Sequence, residues 1–438
     1  MRRLLYQTLI VLLFLACSAF NTGDVIPPYF VSQIKNKIDV IKENSKDGSS
    51  FVFITDTHVK ANQMNSPQLI KYILDTTNIK NVIWGGDAIN YNRGNIEGQW
   101  EIQLRFDSAF NNVCNYYKVR GNHDFSITKN KQFPNGISYS NTKSAELLLR
   151  NCPSNIHRNT NDPGACYYYY DDMINKIRFV IFDTTDSVPD KVGGYGNVPY
   201  IHDSQLQWVA DSALSTISKG YGLVFVSHIP FTSFGPKSNL KMENIRRVGQ
   251  LIDGVGSHTS GKIGQVKYDF THLEDVKVLM CISGHIHKDV ETYVNGVLYL
   301  TTANDGKWKV KETKKSLGKA RRKEGTVDEQ CFDCICISEN KKVVHAYRIG
   351  YGHDRHFHLD PVNISENKNK KLETAFIKPV SWNSFNVAGE KIKKKKQLSD
   401  DIVIVEKNGF VRGLKKGAAV VVASDDKGNK EFFNIFVN

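Results

Sequence analysis

Short apolar runs, each cut off by charged or amide side chains, recur along most of the chain. Residues 51–54 stop at Asp56-Thr57-His58, and residues 81–84 stop at Gly85-Gly86-Asp87, with Asn90 just beyond. Residues 116–119 lead into Arg120-Gly121-Asn122-His123-Asp124, and residues 177–182 into Asp183-Thr184-Thr185. Residues 223–226 lead into Ser227-His228-Ile229-Pro230, and residues 278–282 into Ser283-Gly284-His285-Ile286-His287. Such runs predict buried strands. Between them the period changes: 34–42, 66–75, 99–110 and 203–214 space their apolar positions as helices do, with Ser66 as a cap and Pro67 in the first turn. Alternating strand and helix predicts an α/β sheet whose ligands gather at the carboxyl ends of its strands.

After His287 the pattern turns antiparallel. Residues 289–294 and 297–302 flank Asn295-Gly296, a two-residue hairpin signal, and 331–338 and 343–349 flank a second turn at Asn340-Lys341-Lys342. A break rich in Asn and Lys follows at 361–369. From 371 to 438 the chain alternates in period two between turn signals, which predicts a small β-sandwich.

Length and charge sharpen this picture in two places. The chain has 438 residues, enough for one large domain and a smaller one. Its net charge of +13 is local, concentrated in 307–323 and around 391–396. Two Lys-rich patches are read as solvated loops, and no nucleic-acid partner is expected. Arg2-Arg3, the apolar run 9–16 and Cys17-Ser18-Ala19 predict an export leader over 1–19, too short for a confident membrane span. Leu15-Ala16-Cys17 resembles a bacterial lipoprotein processing site, with plain cleavage near Ser18-Ala19 as the alternative. The expected organisation is a leader, a large α/β domain over 22–360 and a sandwich over 371–438, in a periplasmic or cell-surface protein tethered to the membrane through Cys17. Of eight cysteines, Cys152 and Cys166 flank a loop they could close as a disulfide, whereas Cys331, Cys334 and Cys336 read as strand residues.

The residues that end the strands carry the chemistry. Asp56, His58, Asp87, Asn122, His228, His285 and His287 offer carboxylate, amide and imidazole donors, each directly after a predicted strand. About seven such donors, one carboxylate shared, suffice for two cations a few ångströms apart. His123 stands beside the amide, where it can give a proton, and Asp124 is the candidate to orient it. Asn90, Arg120 and Trp308 are candidate substrate contacts.

The order Asp-x-His, Gly-Asp, Gly-Asn-His-Asp, a lone His and Gly-His-x-His resembles the calcineurin-like metallophosphoesterase superfamily over roughly 50–350. The resemblance implies a two-sheet αββα sandwich with a dinuclear centre at one rim. It implies Asp56, His58 and His287 on one metal, Asn122, His228 and His285 on the other, Asp87 bridging, and His123 as a non-ligand. Purple acid phosphatases carry a Tyr three residues after the bridging Asp; Asn90 stands there here, which argues against that branch. Mixed O/N sites accept Mn, Fe, Zn or Ni. The C-terminal stretch, through 406–411, 413–417 and 418–423, resembles bacterial immunoglobulin-like domains. The function expected is an exported metal-dependent phosphoesterase acting on a small or surface-borne phosphate mono- or diester through a metal-bridging hydroxide. A nuclease of the same fold, or a non-catalytic surface-binding protein, are the alternatives. The hairpin at 295–296 should return Asn304, Asp305 and Trp308 to the metal rim. The basic stretch 307–323 would extend from there and draw in anionic substrate, unless it is a solvated loop that touches nothing.

Overall fold

In the strands Ser49–Ile54, Ile177–Ile181, Gly222–Val226 and Val297–Thr301 every side chain is buried. A strand buried on both faces needs a covering layer on each. The computed structural model, which describes residues 26, 28–58, 65–89, 96–127, 137–186, 200–231, 243–306, 322, 325–338, 340, 342–386 and 401–438, meets that need with two sheets packed face to face and helices outside both. This is the αββα order expected.

The first sheet carries Ser49–Ile54, Asn81–Trp84 and Asn115–Lys118 in parallel, with Cys331–Ser338 and Val343–Gly350 antiparallel on the other side of Ser49–Ile54. The second carries Ile177–Ile181, Gly222–Val226, Lys277–Ser283 and Val297–Thr301 in parallel, with Val290–Val294 antiparallel at one edge. Phe51, Tyr117, Tyr170 and Phe179 interlock between them: Tyr117 stacks on Tyr170 with centroids 3.6 Å apart, and Phe51 meets Phe179 edge-on at 5.4 Å. Helices Pro28–Asn44, Asn65–Thr76 and Ile96–Ser108 cover the outer face of the first sheet; Asp203–Trp208, its π-helical continuation Val209–Leu214, and Glu243–Gly256 cover the second. Asn295 and Gly296 take left-handed φ of 50° and 87° between Val294 and its partner Val297, the two-residue turn expected there.

Two buried ion clusters cross from sheet to sheet. Arg120 pairs with Asp183 at 2.6 Å. Arg348 and Arg355, from the first sheet, both hold Asp333 of their own sheet and Asp289 of the other, at 2.5–2.8 Å. Asp289 lies two residues after His287.

The C-terminal region is strand-rich, but it is not set off by a linker. Over 361–369, where a break was expected, Val362–Ile364 pairs with Lys430–Val437, and Arg355–His358 pairs in parallel with the same strand. Gly417–Ser424 and Ser381–Asn386 continue outward, so the first sheet runs without interruption into the C-terminal strands. Ala419, Val421, Phe433 and Ile435 face Leu372, Val403 and Val411 below a three-stranded sheet. Val420, Val422 and Phe432 point the opposite way, into the core between the two main sheets. A single strand pair thus serves two cores, and its unbroken apolar run, 418–423, is the trace of that double burial. The disulfide considered for Cys152 and Cys166 is not formed; every described cysteine is free. Cys331, Cys334 and Cys336 are buried strand residues. Cys17 and the basic run 391–396 lie outside the described residues.

A chain ending at residue 360 would uncover Phe357 and the core face now closed by Val420, Val422 and Phe432. We expect it to aggregate, or to melt roughly 10 °C or more below the full chain. A truncated chain with the full-length melting temperature would show that the C-terminal strands are an independent module.

Candidate metal centre

The parallel strands of both sheets end at one rim, so their terminal residues converge. Asp56 and His58, Asp87, and Asn122 with His123 come from the first sheet; His228, His285 and His287 come from the second. The chain must turn sharply to aim these groups inward. Asp56, His58, Asp87, His285 and His287 all take left-handed φ, between 50° and 72°. For residues other than Gly this costs about 1 kcal/mol or more apiece, the mark of a site whose surroundings over-determine it. The glycines beside them permit close backbone approach. A Cβ on Gly121 would collide with the backbone N and carboxylate of Asp87, and one on Gly284 with Thr55 and the Asp56 carboxylate.

Ligand-type atoms of Asp56, His58, Asp87 and His287 lie within 4.8 Å of one another, as do those of Asp87, His228 and His285. Asp87 belongs to both groups. His58 Nε2 and His287 Nε2 face each other at 3.2 Å, with Asp56 Oδ1 3.0 Å from His287. Two imidazole lone pairs at that separation repel unless a proton or a metal ion lies between them. His228 Nε2 is 3.2 Å from Asp87 Oδ2 and 3.1 Å from Asn122 Oδ1, which joins the amide to the second group. The opposite ring nitrogens are engaged with backbone carbonyls, His228 Nδ1 with Gly85 at 2.8 Å and His58 Nδ1 with Ile89 at 3.2 Å. That arrangement turns Nε2 into the cluster, in the way an outer partner orients a metal-binding histidine.

Four of the six titratable donors stand in their ligand charge states, and two, His228 and His287, are held protonated by the carboxylates. Burial alone would raise Asp56, but the charge and hydrogen bond of His287 hold its carboxyl well below the usual range. Asp87 is likewise held low against its burial, by His123 and His228. Burial pushes His58 and His285 down to about 4, leaving neutral rings. His228 resists the same burial because Asp87 raises it to about 10. Ionised carboxylates and neutral imidazoles are the ligand forms, so a metal at His228 or at His287, which Asp56 raises, would displace a proton. His123, His285 and His287 are the partly exposed members, so the cluster opens on their side.

Two expectations are corrected. The Asp124 carboxylate does not orient His123; it accepts the backbone N–H groups of Gly121 at 2.7 Å, Asp87 at 3.0 Å, Ala88 at 2.7 Å and Ile89 at 3.3 Å. It ties the Asp87 loop to the Asn122 loop, and burial with the nearby Asp87 charge pushes it up to about 7. Arg120 is not available to a substrate, because it is buried in its pair with Asp183. Asn90 and Trp308 lie outside the described residues, as does 307–323 except Arg322. That guanidinium is committed to the backbone carbonyls of Asn304, Asp305, Asp328 and Glu329. Residues 304–306 do return to the rim: Asp305 N donates to Thr55 O at 2.9 Å and Gly306 N to Asp56 O at 3.1 Å. Sequence reasoning left Asp183 and Thr184 without a role, although they end a strand as the other motifs do. Thr184 Oγ1 accepts the N–H of Ile229, next to His228, at 3.1 Å.

A family model described as calcineurin-like phosphoesterase matches residues 49–289, more than half of the chain and every group just described. The chain belongs to the calcineurin-like phosphoesterase family. It is thereby a metal-dependent phosphoesterase, and its Asp/His cluster is of the kind that holds divalent metal. No curated protein matches the chain. Among solved structures, a dimetal phosphatase from Danio rerio is similar at 13% identity and TM-score 0.46, over 71% of this chain and 99% of that one. GAP50, the anchor in the inner membrane complex of Plasmodium, is similar at 13% identity and TM-score 0.38, over 69% and 84%. A 5'-nucleotidase (so described, as putative, for Staphylococcus aureus) is similar at 12% identity and TM-score 0.36, over 65% and 50%.

For this phosphoesterase, Asp124→Ala should strand four N–H groups behind the metal rim. We expect a loss of about 3 kcal/mol or more in denaturant unfolding, together with a fall in bound metal. Asp124→Asn, which keeps an acceptor oxygen, should lose less of both. Equal metal content in Asp124→Ala and the unmutated protein would refute the tie between the two loops.

Proposed function

We propose that the protein is an exported phosphoesterase holding two divalent transition-metal ions, and that it hydrolyses a small or surface-borne phosphate mono- or diester. Asp56, His58 and His287 would take one ion, Asn122, His228 and His285 the other, with Asp87 shared. What carries this reading is the meeting of two donor groups at one carboxylate, Asp87. When bound, such ions supply the Lewis acidity that activates water and offsets phosphoryl charge. The mixed oxygen and nitrogen donors suit Mn, Fe, Zn or Ni.

The chain's own contribution is to place the donors and to handle a proton. His123 N donates to Asp87 Oδ1 at 2.8 Å, which fixes its loop, and its Nε2 stands 3.7 Å from Asp87 Oδ2 on the open side of the cluster. Burial lowers its pKa while Asp87 opposes that effect, and an arriving phosphate anion adds to the opposition. The protonated ring is then available to the leaving oxygen. Metal analysis, and phosphate release from a panel of mono-, di- and nucleotide esters with Mn(II), test the whole reading. More than one metal equivalent is expected, and Asp87→Asn should lose both metal and hydrolysis; unchanged turnover in that variant would overturn it. His123→Asn should keep its metal yet lose roughly a hundredfold or more on a poor leaving group, and less on a nitrophenolate-type one. Equal losses on both would remove the acid role.

Export is supported by the leader composition alone. No helix among the described residues is long and apolar enough to cross a membrane. Fractionation with and without Cys17→Ser checks the tether: the unmutated chain should sit with membranes and the variant should not. An unmutated chain found wholly soluble removes the lipid anchor.

A further inference from the structure

The ion pair Arg120–Asp183 is among the most enclosed charged contacts of the molecule, with both side chains 1% exposed. The guanidinium meets Asp183 twice, Nη2 to Oδ2 at 2.6 Å and Nε to Oδ1 at 3.1 Å. It also donates to Thr185 Oγ1 at 3.2 Å, Thr185 O at 2.7 Å and Asn141 Oδ1 at 2.9 Å, and its plane lies over the Phe125 ring at 4.8 Å. Asp183 is fixed in turn by Gln205, which accepts its backbone N–H at 2.9 Å and donates to its carbonyl at 3.0 Å.

The position of this pair gives it a use. Arg120 ends a strand of the first sheet and lies two residues before Asn122. Asp183 ends a strand of the second sheet, and its neighbour Thr184 holds the N–H of Ile229, the residue after His228. Asn122 and His228, which come from opposite sheets, approach each other at 3.1 Å. A closed circuit therefore runs from Asn122 through Arg120, Asp183 and Thr184 to His228 and back. The other donor group has its own ties across the sheets: Asp305 N donates to Thr55 O, beside Asp56, at 2.9 Å, and Gly306 N to Asp56 O at 3.1 Å.

We propose that Arg120 and Asp183 are positioning residues for one of the two cations, setting the span between Asn122 and His228 without touching the ion held by Asp56, His58 and His287. The inference rests on the two-ion reading above. Outer contacts that orient ligands change metal affinity by about ten- to a hundredfold when lost. A neutral pair fits the task because it adds no net charge beside a cation.

Mn(II) titration of the full chain, stripped of metal by chelation, tests this. Arg120→Gln with Asp183→Asn removes both charges, so neither is left buried alone; Arg120→Lys, which keeps the charge and loses the fork, gives the same comparison if the pair does not fold. Each is combined with His287→Ala, which leaves the ion of Asn122 and His228, or with His228→Ala, which leaves the other. We expect the remaining Mn(II) to bind about tenfold or more weakly in the first background and within about twofold of its parent in the second. Similar weakening in both backgrounds would reduce the pair to a general brace, and none in either would remove it from the site; both overturn the proposal. An unmutated chain that binds fewer than two equivalents overturns the two-ion reading, and the inference with it.

Discussion

Two stacked sheets have to keep their rims in register, because neither sheet carries a complete donor set. Asp56, His58, Asp87 and Asn122 belong to one, and His228, His285 and His287 to the other. A metal site tolerates about half an ångström of misplacement, and two sheets free to slide on an apolar interface would exceed it. Apolar packing has no direction of its own. Direction comes from the interlocked aromatic rings and from the charges that cross the interface. Arg120–Asp183 stands by the Asn122 and His228 loops, and Arg348 and Arg355 reach Asp289 just past His287. Buried ion pairs are weak contributors to net stability. Here their geometry matters more than their energy.

The rim also shows how the surrounding fold sustains local strain. Left-handed backbone at five candidate donor positions is unfavourable, and it persists because neighbouring N–H groups and carbonyls are engaged around it. Asp124 gathers four of those N–H groups from two loops. Thr55 Oγ1 and His285 N both donate to Asp56 Oδ2, at 2.8 and 2.9 Å. Thr55 and Asp124 are thus rigid supports that are not themselves metal donors.

The parallel strands were legible in the sequence because strands buried on both faces write unbroken apolar runs, and the polar residues that end them stand out. The Asn295-Gly296 turn was legible because few residue pairs tolerate two left-handed positions. Other features left weaker traces. Strand Tyr168–Asp172 carries aromatic and acidic residues that blur its period, whereas helix Glu243–Gly256 spaces Ile245, Val248, Leu251, Ile252 and Val255 regularly and could have been read. The role of Arg120 depends on a partner 63 positions away, which no local pattern reveals. Adjacency of Asp124 to His123 in sequence suggests contact, whereas the turn points the Asp124 carboxylate at the backbone. The continuity of the C-terminal strands with the first sheet depended on long-range pairing of Arg355 with Lys430, and period two alone does not say which neighbour a strand will find.

The place of Ser49–Ile54 in the first sheet has a consequence for how the chain is made. One of its flanking neighbours is Asn81–Trp84; the other is Cys331–Ser338, so Phe51 pairs with Asn81 on one side and Ile335 on the other. During synthesis the early strands can assemble on one side only, and the opposite edge stays open until residue 331 and beyond have left the ribosome. An open apolar edge of this kind invites pairing with other chains. Long-range strand pairing is also slow to nucleate. Until Cys331–Ser338 has been made, Ser49–Ile54 has one edge with no native partner, so the two halves of the first sheet are joined only when nearly the whole catalytic region is present.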